Sequence, residues 1–468
     1  MPLINELRDA IGTNHVLQGD DMARWRHDWT QKYENAPLAV LRPANTAEVS
    51  ACVKLAHDSG TPVVPVSGNT GLAGGAHATE GSLMLSLDRM NKIRDIRPDA
   101  RLAIVEGGVV LETLHDAVRA QGLSFPMTFG AKGSAMIAGM LSTNAGGSNV
   151  LRYGNTRDLC LGLEVVLPDG EVLDLMSELH KDNSGYALKD LFIGAEGTLG
   201  IITGAVLKLV PTPGAFATAM VAVPTLSDAL SLLNKLQEVT GGAIEAFEYM
   251  PAEYMAGLHR QFPDTRRVFD EDYAVNILLE IGATAPRDVA VGDDGSLPIV
   301  RYLEEVLGDM LEHETVLDAV IAQNETQRAE MWARREAAAE VSLSRTPAVN
   351  NDIALPLDKI DVFFTQMADV LKGLDAKAET LSVAHLGDGN IHNMVYPSDA
   401  ALCDVVMEAV EENVLSLGGS FSAEHGIGLS KLPSMKRRKN PVALRVMRQL
   451  KAAMDPKGIM NPGKVLPD

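Results

Sequence analysis

Residues 381–396 read LSVAHLGDGNIHNMVY, two apolar runs on either side of Gly387-Asp388-Gly389-Asn390. That pattern predicts a β-hairpin. With those four residues as the loop, Leu386 pairs with Ile391 and His385 with His392. Cross-strand partners lie roughly 4.5–5.5 Å apart at Cβ on one face, so two imidazoles would meet where one divalent ion could accept both. Two unrelated histidines on a polar sheet face are the plainer alternative. A third ligand must come from elsewhere. Ser422-Ala423-Glu424-His425-Gly426-Ile427-Gly428 offers a carboxylate next to another imidazole, then glycines that permit a tight loop. His385, His392 and Glu424, with coordination positions left open, suit zinc or another first-row divalent ion acting as a Lewis acid, and His425 suits a base. Without the hairpin, Glu424-His425 would read as a surface turn.

A second kind of chemistry is written in Ser67-Gly68-Asn69-Thr70-Gly71-Leu72-Ala73-Gly74-Gly75-Ala76, entered directly from TPVVPV. Its glycines allow positive φ and let backbone N–H groups converge on an anion such as a diphosphate. An ordinary flexible turn explains the loop alone equally well. No GxGxxG opens a helix and no GxxxxGK[ST] occurs, while Gly387-x-Gly389 and Gly426-x-Gly428 lack a third glycine. A Rossmann NAD site and a P-loop are therefore disfavoured. Thr143-Asn144-Ala145-Gly146-Gly147, after a small-residue stretch over 134–142, and GAEGTLGIIT (194–203) would let backbone approach a large flat ligand. Close helix–strand packing is the alternative for each.

The elements that must position these residues follow from periodicity and punctuation. Residues 1–36 read as short helices, and LAVLRPA (38–44) as a strand and turn. Asn45 and Glu48 form a capping-box pattern for a helix ending at Gly60. Strands over 61–66, 83–87 and 102–105 and a helix over 110–121 continue an α+β pattern to about residue 210. PTPGA (211–215) is a break. Beyond it come strands over 216–223 and 274–281, and helices over 226–239, 297–311 and 316–344. The last 45 residues read as helical, with a turn-rich tail, MDPKGIMNPGKV.

Composition narrows the classes. A chain of 468 residues with 46% hydrophobic residues has material for two to four domains. The formal charge of −21 repels nucleic acid and anionic membranes. An anionic substrate would need cations at its own site. The basic run Lys436–Lys439 reads as a solvated helix face. Cys52, Cys160 and Cys403 are dispersed and odd in number, which disfavours a disulfide scaffold and fits a reducing cytoplasm. No signal peptide and no membrane-spanning apolar run is legible.

Taken in order, these segments resemble the FAD-binding domain shared by vanillyl-alcohol oxidase-like and p-cresol methylhydroxylase-like flavoproteins. The likeness is greatest to the FAD-linked D-lactate, D-2-hydroxyglutarate and glycolate dehydrogenases. It runs from about residue 36 to the C-terminus, and GNTGLAGG is most similar to the 2-hydroxyglutarate enzymes. The resemblance implies an α+β fold with three parts: a vanillyl-alcohol oxidase-type FAD-binding domain (1–210), an α+β substrate domain (211–424), and a helical C-terminal segment (425–468) that returns to the FAD domain. It implies that Val66, Ser67, Gly68, Asn69, Thr70, Gly71, Gly74, Gly75 and Ala76 wrap the diphosphate. Pro126, Gly130, Ser134, Thr143, Asn144, Gly146 and Gly147 would line the cofactor. Glu196, Gly200, Ile201 and Thr203 would complete the wall, with Asn461 reaching back from the tail. The first loop lacks the His or Cys that carries covalent flavin, so FAD is expected to bind noncovalently. Ser67 replaces a usual Gly, and Ala138-Gly139-Met140 a usual Gly-Gly-Asn, which bears on affinity and redox tuning.

The same resemblance assigns the metal to His385, His392 and Glu424 and the base to His425. Asn is usual at 394; here Asn393-Met394 follows His392, and Asn393 is the substitute substrate contact. Arg335 matches the family's Trp-x-x-Arg-Glu at Trp332–Glu336 and would grip the substrate carboxylate, although a solvated helix arginine is the plainer reading of that residue alone. Asn350 stands where the family has Lys, two residues before Asp352, so one cation is missing from the presumed substrate pocket. That favours lactate-like, glycolate-like or bulkier apolar hydroxy acids over 2-hydroxyglutarate or malate. The implied reaction is oxidation of a small D-2-hydroxy acid to the 2-keto acid, with hydride passing to flavin N5. Electrons would then go to an electron-transfer flavoprotein, a quinone or a cytochrome; the oligomeric state is left open by the sequence, with a homodimer one of the states it allows. The alternatives are non-redox alkyl transfer, as in alkyl-ether-lipid synthases, and a flavin-binding partner subunit without turnover.

Overall fold

The computed structural model describes residues 2–293 and 295–468. They form two compact units: one comprises the chain up to Gly146, Gly154–Pro211 and His425–Asp468, the other Gly147–Tyr153 and Thr212–Glu424.

In the first unit, β1 (Val16–Leu17), β2 (Ala39–Leu41), β3 (Val63–Val66) and β4 (Leu83–Ser86) form a sheet in the order β1-β2-β4-β3. The two contacts of β4, with β2 and with β3, are parallel, and the crossover helix Thr46–Ser59 joins β2 to β3. Its ends are where the sequence puts them. The Asn45 side chain accepts from the Glu48 N–H at 2.9 Å, and Gly60 closes the helix at φ 67°, a left-handed cap that favours glycine. The chain's tail extends this sheet at the free edge of β3: Val63 N–H donates to the Ile459 carbonyl and Asn461 N–H to the Val63 carbonyl, both at 2.8 Å. Next come β5 (Ile93–Arg97), β6 (Leu102–Glu106), β7 (Leu123–Ser124), β8 (Cys160–Val166), β9 (Val172–Leu175), β10 (Ile201–Lys208) and β11 (Val210–Pro211). Of these, β7 and β11 pair as a ribbon, and the others form an antiparallel sheet ordered β5-β6-β10-β8-β9.

The second unit is built on one antiparallel sheet of seven strands: β12 (Ala215–Val223), β13 (Ile244–Pro251), β14 (Val275–Ala283), β15 (Asp318–Ile321), β16 (Val349–Ala354), β17 (Glu379–His385) and β18 (Asn390–Tyr396), in the order β15-β12-β14-β13-β17-β18-β16. Side chains alternate between its faces. One face carries Ala219, Val221, Phe247, Ile277, Leu279, Ile353, Ala384, Ile391 and Val395. These pack on helices Leu226–Thr240, Pro298–Glu312, Ile360–Leu374 and Cys403–Ser416. Each fully buried Leu, Ile or Val there contributes about 1.5–3 kcal/mol. The other face carries the remaining residues of the same strands and is partly covered by Tyr254, Leu258, Met331 and Val341 from shorter helices.

Two expectations change. The single helix over 316–344 is instead an edge strand, Asp318–Ile321 on β12, followed by helices Glu325–Glu336 and Ala338–Ser342. The β-branched and apolar run before Asn324 pairs with the sheet, and Asn324 caps the true helix by accepting from the Gln327 N–H at 3.0 Å. Strand Ile244–Pro251 and helix Ala252–Gln261 were not foreseen. The strand is buried along its whole length and lacks the polar alternation that marks a half-buried one.

Candidate metal and substrate site and candidate flavin cradle

The hairpin forms with a register other than the expected one. The loop is Leu386–Gly389, His385 pairs with Asn390, and His392 pairs with Val383. Gly389 takes φ 84°, which closes the loop one residue early. The shift is even, so side-chain parity is kept. His385 and His392 become diagonal neighbours on one face, ring centroids 5.3 Å apart. Glu424 joins them: one ligand atom from each of His385, His392 and Glu424 lies within 4.8 Å of the others. The carboxylate arrives on a segment that runs beside β16. There Ser420 bridges to Ala354, Ala423 N–H donates to the Asp352 carbonyl at 3.1 Å, and Glu424 N–H donates to Asp352 Oδ2 at 2.9 Å. Asp352, only 2% exposed, also accepts from Asn390 Nδ2 at 2.9 Å and stands 4.0 Å from His392 Nδ1. These carboxylates bring negative charge to a half-buried site, which a divalent cation would offset. Two imidazoles and a carboxylate are a donor set that such an ion accepts.

Arg335 lies on helix Glu325–Glu336, 7% exposed. Its Nε donates to Glu248 Oε2 at 2.8 Å, while its Nη2 is buried without a hydrogen-bond partner. An orphaned guanidinium nitrogen fits a carboxylate ligand. Neighbouring Arg334 is turned elsewhere, its Nη atoms donating to the carbonyls of Glu330 and Arg266. Asn350 is exposed and shares the histidines' face, opposite Met394. Asn393 does not join them. Alternation along β18 puts it on the opposite, helix-covered face, 3% exposed, where its Oδ1 accepts from Ser382 Oγ at 2.9 Å. The neighbour on the site face is Met394, itself 2% exposed.

In the first unit the glycine-rich segments converge. A Cβ on Gly68 would stand 2.2 Å from the Ser134 carbonyl oxygen, so only glycine fits there. Gly139 lies under the Ser67 side chain, where a Cβ would come within 3.1 Å, and Ser67 Oγ is buried without a partner. Asn69 and Asn144 both adopt left-handed backbone, φ 53° and 52°. Glu196 N–H donates to the Ser142 carbonyl at 2.8 Å, tying segment 194–203 to 134–144. Asn461 Nδ2 donates to the carbonyls of Gly75 and Glu196 at 2.9 and 2.7 Å. Gly71 and Gly130 face open space. Beside the loop is a cavity of about 450 Å³ lined by Arg24, Trp25, His27, Trp29, Ser67, Gly68 and Asn69. An orphaned hydroxyl, a glycine cradle and this space fit a diphosphate-bearing cofactor. Three expected lining residues differ in their surroundings. Thr203 is fully buried, its hydroxyl donating to Glu164; Pro126 is buried as well; and Gly147 belongs to the second unit. Glu196 also differs from a plain flavin wall. Its carboxylate accepts from the N–H groups of Ile427 and Gly428 at 2.7 and 2.8 Å, and so anchors the loop that follows His425.

Reasoning from the sequence missed Glu248, the N-terminal segment 24–29 and the anchoring carboxylate of Glu196. Glu248 left one trace, a carboxylate inside the otherwise apolar run IEAFEYMP. Burial raises the carboxyl pKa of Glu248, but the charges of His385 and Arg335 outweigh it and hold the group ionised.

Residues 37–176 match the FAD binding domain model, and residues 212–465 match that of the FAD linked oxidases, C-terminal domain. The D-2-hydroxyglutarate dehydrogenase of Xanthomonas citri pv. viticola is 34% identical, over 99% of this chain and 97% of its own. The mitochondrial D-2-hydroxyglutarate dehydrogenase of Bos taurus is 36% identical, over 94% of this chain and 79% of its own. Among solved structures, p-cresol methylhydroxylase with bound substrate superposes with a TM-score of 0.74 at 17% identity, over 100% of this chain and 96% of that one. An alkyldihydroxyacetonephosphate synthase gives 0.73 at 17%, over 98% and 84%. At such identities these two likenesses speak to the fold alone, and they bear out the expected vanillyl-alcohol oxidase-type α+β architecture. With both halves matched and relatives aligned along nearly its whole length, the chain belongs to the FAD-linked oxidase family that includes the D-2-hydroxyglutarate dehydrogenases.

Proposed function

We propose that the chain is an FAD-dependent dehydrogenase that oxidises a small D-2-hydroxy acid to the 2-keto acid, aided by a divalent ion, with zinc favoured by the donor set. One observation carries the reading: His385, His392 and Glu424 converge on the sheet face from which Glu248 reaches Arg335. Bound FAD would supply the two-electron acceptor, held noncovalently, and the ion would supply a Lewis acid. Arg335 pairs its unengaged Nη2 edge with the substrate's α-carboxylate and orients it. His425 takes the hydroxyl proton, a role for which a positioned base is worth roughly 10²–10⁴-fold in rate. Loss of the C2 hydrogen with its electron pair then gives the keto acid. Orientation and fixed charge supply most of the acceleration. A separate acceptor, an electron-transfer flavoprotein, quinone or cytochrome, restores the oxidised cofactor. The three unpaired cysteines support a cytoplasmic setting, and no helix among the described residues is long and apolar enough to cross a membrane.

The test is anaerobic mixing of the yellow protein with D- and L-hydroxy acids. The panel includes 2-hydroxyglutarate, after which the relatives are named, and lactate and glycolate, which Asn350 favours by supplying no second cation. Bleaching of the flavin by a D-acid, with release of the keto acid, is expected. An FAD-replete protein that no hydroxy acid bleaches would overturn the reading in favour of non-redox alkyl transfer or a subunit without turnover.

A further inference from the structure

Glu248 sits in the middle of β13, directly opposite His385 on β17, with no exposed surface. Both of its oxygens lie 2.9 Å from His385 Nδ1, and Oε2 also accepts from Arg335 Nε at 2.8 Å. A carboxylate buried away from water is strongly disfavoured unless its partners hold it well, so two donors on one carboxylate make a rigid three-residue unit. We propose that Glu248 is a positioning residue that serves two ligands at once: it orients His385 for the metal and Arg335 for the substrate carboxylate. The proposal rests on the functional reading above and extends it to a residue that touches neither ligand.

The chemistry of each partner follows. A carboxylate against Nδ1 keeps the proton on that nitrogen, which would leave the Nε2 lone pair available to a divalent ion and raises the basicity of the ring. On the arginine, Glu248 occupies Nε, so the guanidinium cannot rotate freely and its buried, unpartnered Nη2 is held for an incoming carboxylate. The fork of a guanidinium is useful only when its plane is set. Glu248 sets it with the same carboxylate that fixes the histidine tautomer, so ion and acid would be bound on a common support.

The decisive variant is Glu248→Gln, equal in size but with one oxygen and one NH₂ in place of two acceptors, so that it can satisfy only one of its partners. Zinc is titrated into metal-stripped, FAD-containing protein against a chelating dye, and kcat and KM are measured for the best hydroxy acid with saturating zinc. Zinc affinity is expected to fall about 10–100-fold and KM to rise at least tenfold, with FAD content unchanged. Glu248→Asp, which keeps the charge, should recover part of both. Arg335→Lys should raise KM while leaving zinc affinity within about threefold. In the wild-type protein, nitrogen NMR of the zinc form should show His385 protonated at Nδ1 and ligated through Nε2, a readout that needs no folded variant. Zinc affinity and KM within twofold of wild type in Glu248→Gln, or ligation through Nδ1, would overturn the proposal. Failure of the wild-type protein to bind any divalent ion is a separate result. It would sink the metal assignment, and this inference with it, before any variant is made.

Discussion

Glu196 offers the sharpest quantitative test, because its carboxylate holds the loop that follows His425. The residue holds a left-handed backbone, φ 51°, and is buried. Its carboxylate accepts from Ile427 N–H at 2.7 Å and Gly428 N–H at 2.8 Å. Burial pushes its carboxyl pKa up despite those two bonds. Hydrogen bonds to a charged acceptor are worth about 1.5–3 kcal/mol each. Glu196→Gln keeps one acceptor oxygen and turns an NH₂ toward the other N–H, so one bond is lost and a loss of about 1.5–3 kcal/mol is expected. Glu196→Ala strands both N–H groups at roughly 1–3 kcal/mol apiece, or about 2–6 kcal/mol in all. Urea unfolding followed by circular dichroism and flavin fluorescence reads these losses. Because the anchored loop begins beside His425, kcat should fall in Glu196→Gln while the Kd for FAD stays within about threefold. If instead FAD affinity collapses with kcat intact, or stability changes by less than about 0.5 kcal/mol, Glu196 is a flavin contact and the loop-anchor argument is wrong.

Four further outcomes are expected. His385→Ala, His392→Ala and Glu424→Ala should each lose the divalent ion, and chelation of the wild type should abolish turnover with the flavin spectrum nearly unchanged; active protein free of metal by elemental analysis rules this out. Gly68→Ala should purify largely without FAD, since its Cβ would stand 2.2 Å from the Ser134 carbonyl oxygen; a normal flavin-to-protein absorbance ratio would refute the cradle. Asn350→Lys should move kcat/KM toward D-2-hydroxyglutarate relative to D-lactate by about ten- to a hundredfold, the worth of one charge-assisted bond; an unchanged ratio removes Asn350 from the specificity pocket. Burial lowers the Lys464 pKa to about 8 from 10.5. Between those values the unfolded chain holds the extra proton, so stability should rise with pH across that window. Lys464→Met should flatten that rise in paired urea curves at pH 7.5 and 9.5, and identical slopes would contradict it.

The parts of this protein legible in its sequence are those governed by contacts between near neighbours in the chain. Asn45, Glu48 and Gly60 mark a helix because a cap is satisfied within four residues. The hairpin at 381–396 announces itself through turn chemistry and alternating burial, and its two histidines reach one face even though the register differs, because only parity matters. Glycine-rich 66–76 is visible because positive φ and close approach demand glycine locally. What the tertiary structure decided involves partners far apart in sequence. Glu248 meets His385 and Arg335 across 137 and 87 residues, and Glu196 meets Gly428 across 232. Asn393 looked like a site residue by its place in the chain, yet strand alternation turned it to the opposite face. Residues 316–321 looked helical until an open edge of β12 was there to pair with them. Periodicity reports which side chains share a surface; it holds no record of which other surface will close over them. That choice belongs to the sheet order, and with it the buried carboxylates that hold the candidate site together.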